Sequence, residues 1–220
     1  MDVESFVTVL SHIDQYWSGF VRTLTTSIAA LIMSFILGFT IASLRVSGIK
    51  ILAFFARWYV EFLRNTPLLV QIFFLYYALP QLNIGFLNLS GFQAGMLGLT
   101  FYTAAYIAEI VRAGIQTVHS GQMEAARSSG LSYFQAMVHI ILPQAFRIVI
   151  PPLGTQFINL VKNSAVLTFF AGYDLMYVAD SLQGSTGEVF AVYIIAGGFY
   201  LMMTIPLSVL VNFLERKLLV

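Results

Sequence analysis

Long apolar stretches alternate with short polar connections along this chain. A helix that crosses a lipid bilayer needs about 20 mostly apolar residues. Five stretches meet that requirement: 20–44, 51–79, 92–111, 148–170 and 189–213. The pattern predicts an all-α membrane protein with about five transmembrane helices, in one domain of residues 1–220.

The charges of the connections predict the orientation. Lys and Arg lie between the first two stretches, in or beside the segment 115–147, and after the last stretch (Arg45, Lys50, Arg112, Arg127, Arg147, Arg216 and Lys217). The connections 81–90 and 171–188 contain neither residue type. The positive-inside rule then places the segment 115–147 and the C-terminus in the cytoplasm, and five spans place the N-terminus outside. Arg22 at the outer end of the first stretch is the exception, and it could reach the headgroups.

Composition narrows the class of protein further. Of 220 residues, 59% are hydrophobic and 10% are charged, compared with about 25% charged in soluble domains. A net charge of +1 argues against nucleic-acid binding. The chain has no cysteine, and its three histidines are scattered, so we expect no metal site.

The segment 115–147 contains a predicted short helix. Ser120 is suited to the N-cap, and Glu124 lies where it would interact with the positive end of the helix. Gly130 suits the left-handed residue that closes a helix. The small pair Ala125 and Ala126 would let a partner surface approach closely.

A second short helix is predicted to follow. Ser132 and Gln135 have the spacing of a capping box, and Pro143 is expected to disrupt the helix. Its apolar residues share one face (Phe134, Met137, Val138, Ile141 and Leu142). Two interpretations remain open: a docking element for a soluble partner, or a helix pair that lies on the membrane surface without one.

Charged residues in the second stretch are candidates for function, because ionisable groups within a membrane are costly. Glu61 and Arg64 have a spacing that allows an ion pair along one helix face. That pair would be structural, or a gate that rearranges. Pro67 is expected to kink the helix and to free backbone carbonyls, so Thr66 and Pro67 are candidates for lining a pathway.

The fourth stretch carries a polar face. Gln156, Asn159 and Asn163 recur at helical spacing, with Lys162 and Ser164 beside them. This face would line a subunit interface or a translocation cavity. Lys162 would attract a substrate carboxylate, pair with an acidic residue, or extend its ammonium group towards the headgroups.

The polar segment resembles the EAA loop of permease subunits of ABC importers. The resemblance lies in Glu124-Ala125-Ala126, Gly130 and Ile141-Leu142-Pro143. The segments 64–71, 106–115 and 142–147 resemble the polar amino acid branch of that family, although Asn65 stands where the branch commonly has glycine. Within 106–115, Glu109 and Arg112 are predicted to form a local ion pair.

The resemblance implies the type I permease fold with a cytoplasmic coupling helix. Two such subunits, identical or homologous, would form the pore in a bacterial inner membrane. Two cytoplasmic ATPase subunits would bind ATP and Mg, and an extracytoplasmic binding protein would deliver the amino acid. The residues implied in coupling to the ATPase are Gly121, Glu124, Ala125, Ala126, Gly130 and Pro143.

The sequence contains no phosphate-binding loop of the G-x-x-x-x-G-K-[ST] type. We therefore expect no ATPase activity in the chain itself and no cofactor bound to it. An alternative function is a secondary transporter driven by an ion gradient, in which Glu61 and Lys162 would serve as a relay. An intramembrane serine protease is disfavoured, because no G-x-S-x-G motif occurs.

Overall fold

The structure, a computed structural model, is built from helices and describes residues 3–170 and 172–219. Residues 1, 2, 171 and 220 of the predicted domain lie outside the described part. Within it no strand occurs, so the predicted all-α class is confirmed. In chain order the α-helices are α1 (Val3–Leu10), α2 (Ile13–Val46), α3 (Lys50–Arg64), α4 (Leu68–Phe73), α5 (Gly91–Thr117), α6 (Ser120–Ser128), α7 (Tyr133–Ala136), α8 (Leu142–Asn163), α9 (Leu175–Thr186) and α10 (Val189–Leu219).

Four helical segments of the described chain are long and apolar enough to cross a membrane: Ile13–Val46, Gly91–Thr117, Tyr133–Phe170 and Val189–Leu218. They contain the first, third, fourth and fifth predicted stretches. The prediction of about five spans is close to this number.

The second predicted stretch is not one kinked helix but two helices. Helix α3 ends at Arg64, and α4 begins at Leu68 after an extended residue, Pro67. Proline has no N–H to donate, and its ring disfavours the helical conformation of the residue before it. After α4 the chain continues as a π-helix (Phe74–Ala78) and a 3₁₀ turn (Leu79–Leu82).

Helix α5 lies at the centre of the fold and packs against α2, α3, α4 and α8. Helices α2 and α5 approach closely at Gly38 of α2, where only a glycine fits. A Cβ at this position would lie 2.7 Å from Cγ2 of Ile107 and 2.9 Å from the carbonyl oxygen of Ala104, both on α5. Small residues are the usual means by which membrane helices approach each other. The sequence of α5 supports this role, with buried residues on most of its faces.

The polar segment forms the two predicted short helices, but the residue that caps the first helix differs from the prediction. The N-cap of α6 is His119, whose Nδ1 accepts a hydrogen bond from the Gly121 N–H at 3.1 Å, and not Ser120. The capping box of Ser132 and Gln135 is confirmed.

Pro143 does not disrupt the second helix. A π-helical stretch, Met137–Ile141, leads from α7 directly into α8, and Pro143 lies in the first turn of α8. The ring of proline fixes φ near −65°, which a helix accepts. The second short helix is thus continuous with the fourth membrane-length segment.

The connection between the last two membrane-length segments contains a helix, α9, that was not predicted. Its N-cap is Asp174, whose Oδ1 accepts from the Tyr177 N–H at 3.1 Å, and Gly187 ends it with φ of +75°. The helix is held against α2, since the hydroxyl of Thr23 accepts a 2.9 Å hydrogen bond from the Leu175 N–H.

Candidate functional site: the polar segment and the charged end of the bundle

Helix α6 presents an exposed polar surface. Glu124 and Ala125 are exposed and Gly121 is half-buried, whereas Ala126 is buried, with 7% of its surface accessible. The expectation that both alanines face a partner is therefore wrong for Ala126, which packs inward against its own chain. Pro143 is exposed at the start of α8.

The turn after α6 is held by backbone hydrogen bonds. The Leu131 N–H donates to the carbonyl oxygen of Ala126 at 3.2 Å, and Gly130 adopts φ of +89° between them. A positive φ strains any residue with a Cβ, so glycine has a conformational reason to be here. Nη1 of Arg127 closes the turn by donating to the carbonyl oxygen of Leu131 at 3.1 Å.

An apolar groove of about 610 Å³ lies beside this segment. Residues from the ends of α2 and α5 form one side, and residues from the α7–α8 region form the other. Phe134 is 74% exposed at its rim. The predicted apolar face of the second helix is therefore divided, because Ile141 is buried while Phe134, Val138 and Leu142 are exposed.

Side chains donate hydrogen bonds to the backbone carbonyl oxygens at the break between α3 and α4. Nε2 of Gln71 donates to the carbonyl oxygens of Leu63 at 2.8 Å and Thr66 at 3.0 Å. The hydroxyl of Thr66 donates to the carbonyl oxygen of Phe62. Gln71 is 8% exposed. The carbonyls that were expected to be freed near Pro67 thus find partners within the protein.

Three arginines converge on Glu109 of α5. The predicted pair with Arg112 is confirmed, with Nη2 to Oε1 at 2.5 Å. Arg45 at the end of α2 also pairs with Glu109, and Nη1 of Arg64 lies 3.8 Å from Oε1. No ion pair of Glu61 is found in the described part of the chain, so its predicted pair with Arg64 is wrong. Glu109 is half-buried and less screened by water than the exposed Glu61, which makes it the stronger partner.

The polar residues of the fourth predicted stretch are divided between the interior and the surface. Gln156 and Ser164 are buried, so neither lines an open surface as expected. Asn159 and Asn163 are half-buried, and Lys162 is exposed. Within residues 3–170 and 172–219, Lys162 has no carboxylate at ion-pair distance.

Sequence reasoning missed Gln71 and Arg45 as members of these sites. A glutamine four residues after Pro67 was a signal for the first, because a helix break leaves carbonyls to be satisfied. No group of three His, Cys, Asp or Glu side chains suited to a metal ion occurs among the described residues.

The family model for the inner membrane component of binding-protein-dependent transport systems matches residues 32–220. The chain belongs to this family. Its predicted membership of the ABC importer permeases, and with it a multi-pass location in a bacterial inner membrane, is confirmed by this match and by the relatives.

The curated relatives match along nearly their whole length. The chain is 56% identical over 210 residues to the probable glutamine ABC transporter permease protein GlnM of Bacillus subtilis (strain 168), which covers 96% of both chains. It is 35% identical over 209 residues to the probable glutamine ABC transporter permease protein GlnP of the same organism, which covers 94% of both.

Solved structures share the fold. A crystal structure of an amino acid ABC transporter with histidines matches with a TM-score of 0.91 and 38% identity, over 99% of this chain and 100% of the other. An inward-facing methionine ABC transporter, MetNI, matches with a TM-score of 0.77 at 16% identity, over 94% of this chain and 98% of the other, and supports the fold alone.

Proposed function

We propose that this chain is the transmembrane subunit of an ATP-driven importer of polar amino acids, with glutamine as the first substrate to test. The observation that carries the proposal is the 56% identity, over 96% of both chains, to a relative named as a glutamine permease. The fold shared with an amino acid ABC transporter supports it.

The assembly comprises two copies of the permease, or this chain with a homologue, and two cytoplasmic ATPase subunits that hold ATP and Mg. An extracytoplasmic binding protein delivers the substrate. Helix α6 docks on the ATPase through Gly121, Glu124 and Ala125, and the segment 115–147 faces the cytoplasm. The charge distribution of the connections supports this orientation, with the C-terminus inside and the N-terminus outside.

The coupling element is α6 together with the turn at Gly130. Closure of the ATPase subunits moves α6, and the continuous helix from Tyr133 to Phe170 transmits that motion to the bundle. Pro143 lies on this route. Because a ligand shifts an equilibrium only by binding two states unequally, ATP must stabilise one arrangement of α6 over the other.

The translocation pathway runs along the helix break and the accessible polar residues of α8. Thr66 and Pro67 lie at the break, with Arg64 before it, and Asn159, Lys162 and Asn163 lie on α8. Glu61, exposed one turn before Arg64, is a second charged residue near this route. The entire chain acts as a single membrane domain.

Reconstitution tests the function. The chain is co-purified with its ATPase and binding protein, inserted into liposomes, and assayed for labelled glutamine uptake. We expect uptake that requires ATP and survives collapse of the ion gradients. Uptake that stops with the gradients and ignores ATP would establish the secondary transporter instead. ATP hydrolysis by the purified chain alone would contradict its role as a non-catalytic subunit.

A further inference from the structure

A ladder of polar side chains runs along one side of α5 towards its C-terminal end. It consists of Tyr102, Tyr106, Glu109, Arg112 and Gln116, all half-buried or exposed. The hydroxyl of Tyr102 donates to that of Tyr106 at 3.2 Å, and Arg112 bonds to both Glu109 and Gln116. At about 1.5 Å per residue the ladder spans about 21 Å along the helix.

Positive charge is in excess where the ladder meets α2 and α3. Arg45, Arg64 and Arg112 share the single carboxylate of Glu109, so three positive charges face one negative charge. An excess of charge of one sign in a partly buried cluster marks a place for a ligand of the opposite sign. The chemistry that a guanidinium recognises best is a carboxylate or a phosphate.

The three arginines are not held equally. The side chain of Arg45 is 10% exposed, and Arg112 contacts Glu109 through two nitrogens, Nε at 3.0 Å and Nη2 at 2.5 Å. Arg64 is 39% exposed, and its nearest approach to Glu109 is 3.8 Å. When Arg64 leaves, Glu109 keeps two partners and never becomes an unpaired charge. Arg64 is therefore the arginine that can exchange partners at least cost.

Tyr106 holds the free side of Arg64. The guanidinium carbon lies 5.2 Å from the centre of the Tyr106 ring, within the range of a cation–π contact. Such a contact leaves the N–H groups at the edge of the guanidinium plane available for hydrogen bonds. Tyr106 is a positioning residue, because it orients Arg64 and leaves the carboxylate-binding edge open.

We propose that Arg64 binds the α-carboxylate of the amino acid in transit, exchanging Glu109 for the substrate and back again. This inference rests on the proposed function and names one step within it. Glu109 supplies the competing carboxylate, so the substrate is bound weakly enough to leave, as a transport site requires.

A cysteine reporter tests the exchange in the assembled permease–ATPase complex in nanodiscs, without the binding protein. The chain contains no cysteine, so Asn65→Cys introduces one reactive thiol, at an exposed position next to Arg64. Its modification by a methanethiosulfonate reagent is followed by the mass of this chain. The ligands are glutamine and glutamine α-amide, which lacks the carboxylate. The second background adds Arg64→Gln, and the matched control adds Arg57→Gln, an exposed arginine on the same helix.

We expect glutamine at about four times its dissociation constant to slow modification about fivefold, since the free fraction falls by that factor. The α-amide should not protect. Protection should vanish with Arg64→Gln and persist with Arg57→Gln. Equal protection by both ligands, protection that survives Arg64→Gln, or no protection by glutamine would overturn the proposal.

A second comparison distinguishes partner exchange by Arg64 from a purely structural ion pair between Arg64 and Glu109. If Arg64 only ties α3 to α5, Glu109→Gln removes the same tie and reduces uptake as Arg64→Gln does. If Arg64 binds substrate, Glu109→Gln frees it, and glutamine protection becomes stronger. Uptake is measured separately, with each complex reconstituted into liposomes together with the binding protein. Absence of ATP-dependent uptake by the wild-type complex there would refute the proposed function. Uptake without carboxylate-specific protection would refute only this inference.

Discussion

Nε2 of Gln71 donates a 2.8 Å hydrogen bond to the carbonyl oxygen of Leu63, and this contact joins the two helices across the break at Pro67. The same nitrogen also donates to Thr66. A broken helix within a membrane requires partners for its backbone. One buried amide side chain supplies two of them here.

Replacing Gln71 should therefore weaken the fold around the break. Gln71→Leu leaves the carbonyl oxygens of Leu63 and Thr66 without these donors, which we expect to cost about 1–3 kcal/mol. Thermal unfolding of the purified complex measures the loss. Gln81→Leu is the control, because Gln81 is exposed and its side chain bonds, among the described residues, only to the carbonyl oxygen of Tyr77. Equal melting temperatures for the two variants would show that Gln71 does not support the break.

The contact between α2 and α5 should tolerate no side chain at Gly38. The Cβ of Gly38→Ala would lie 2.7 Å from Ile107, and such overpacking costs about 1–3 kcal/mol. The control is Gly197→Ala on α10, where a Cβ meets nothing within 4 Å. Since alanine favours helix by up to about 1 kcal/mol, the control should unfold at the same or a higher temperature. A stabilised Gly38→Ala variant would contradict the close approach of α2 and α5.

Asp174, outside the membrane-length segments, should make stability depend on pH. Burial raises the pKa of its carboxyl from 3.8 to about 6, although backbone N–H groups from Tyr177, Asp174 and Met176 oppose the shift. Because the folded state holds the proton more tightly, this contribution is fully present below about pH 4. It is lost as the pH rises through about 6, at a cost of about 3 kcal/mol.

The variant Asp174→Asn keeps an N-cap side chain but cannot ionise. Its melting temperature should vary less between pH 4 and 7 than that of the wild type. Asp180→Asn, at an exposed position on α9, should retain the wild-type dependence. If the melting temperatures of Asp174→Asn and the wild type changed equally with pH, the buried carboxyl would not be the source of the pH dependence.

Substitution of Gly130 should separate ATP hydrolysis from transport. A β-branched residue is strained at φ of +89°, so Gly130→Val should change the angle at which α7 leaves α6. We expect lower glutamine uptake per ATP hydrolysed, with normal assembly. Gly184→Val is the control, because a Cβ there meets no atom within 4 Å. A normal ratio of glutamine uptake to ATP hydrolysis in Gly130→Val would show that this turn has no role in coupling.

The sequence predicted the elements that depend on neighbouring residues in the chain. It missed the contacts that form only when separate helices pack together. The capping box of Ser132 and the glycine turn at Gly130 depend on residues that are neighbours in the chain, and both are present. The partner of Arg64 was predicted from spacing as Glu61. The true partner, Glu109, is brought there by the packing of α3 against α5, which no spacing within one helix reveals.

The same division explains the remaining corrections. The second stretch was predicted as one span because it is apolar on average. Average hydropathy contains no information on the backbone interruption at Pro67. Ala126 was expected, with Ala125, to let a partner surface approach because both residues are small, but its side of α6 packs inward. Helix α9 had readable end signals in Asp174 and Gly187, yet its short length placed it among the connections.

The docking of α6 on an ATPase is the central claim, and a photo-crosslink tests it most directly. A benzophenone maleimide is attached at Ala125→Cys, on the exposed side of α6, in membranes that contain the whole transporter. The control is attached at Gln81→Cys, exposed in the connection after α4. We predict an adduct with the ATPase subunit from position 125 and none from position 81. No ATPase adduct from position 125, or equal adducts from both, would contradict the account.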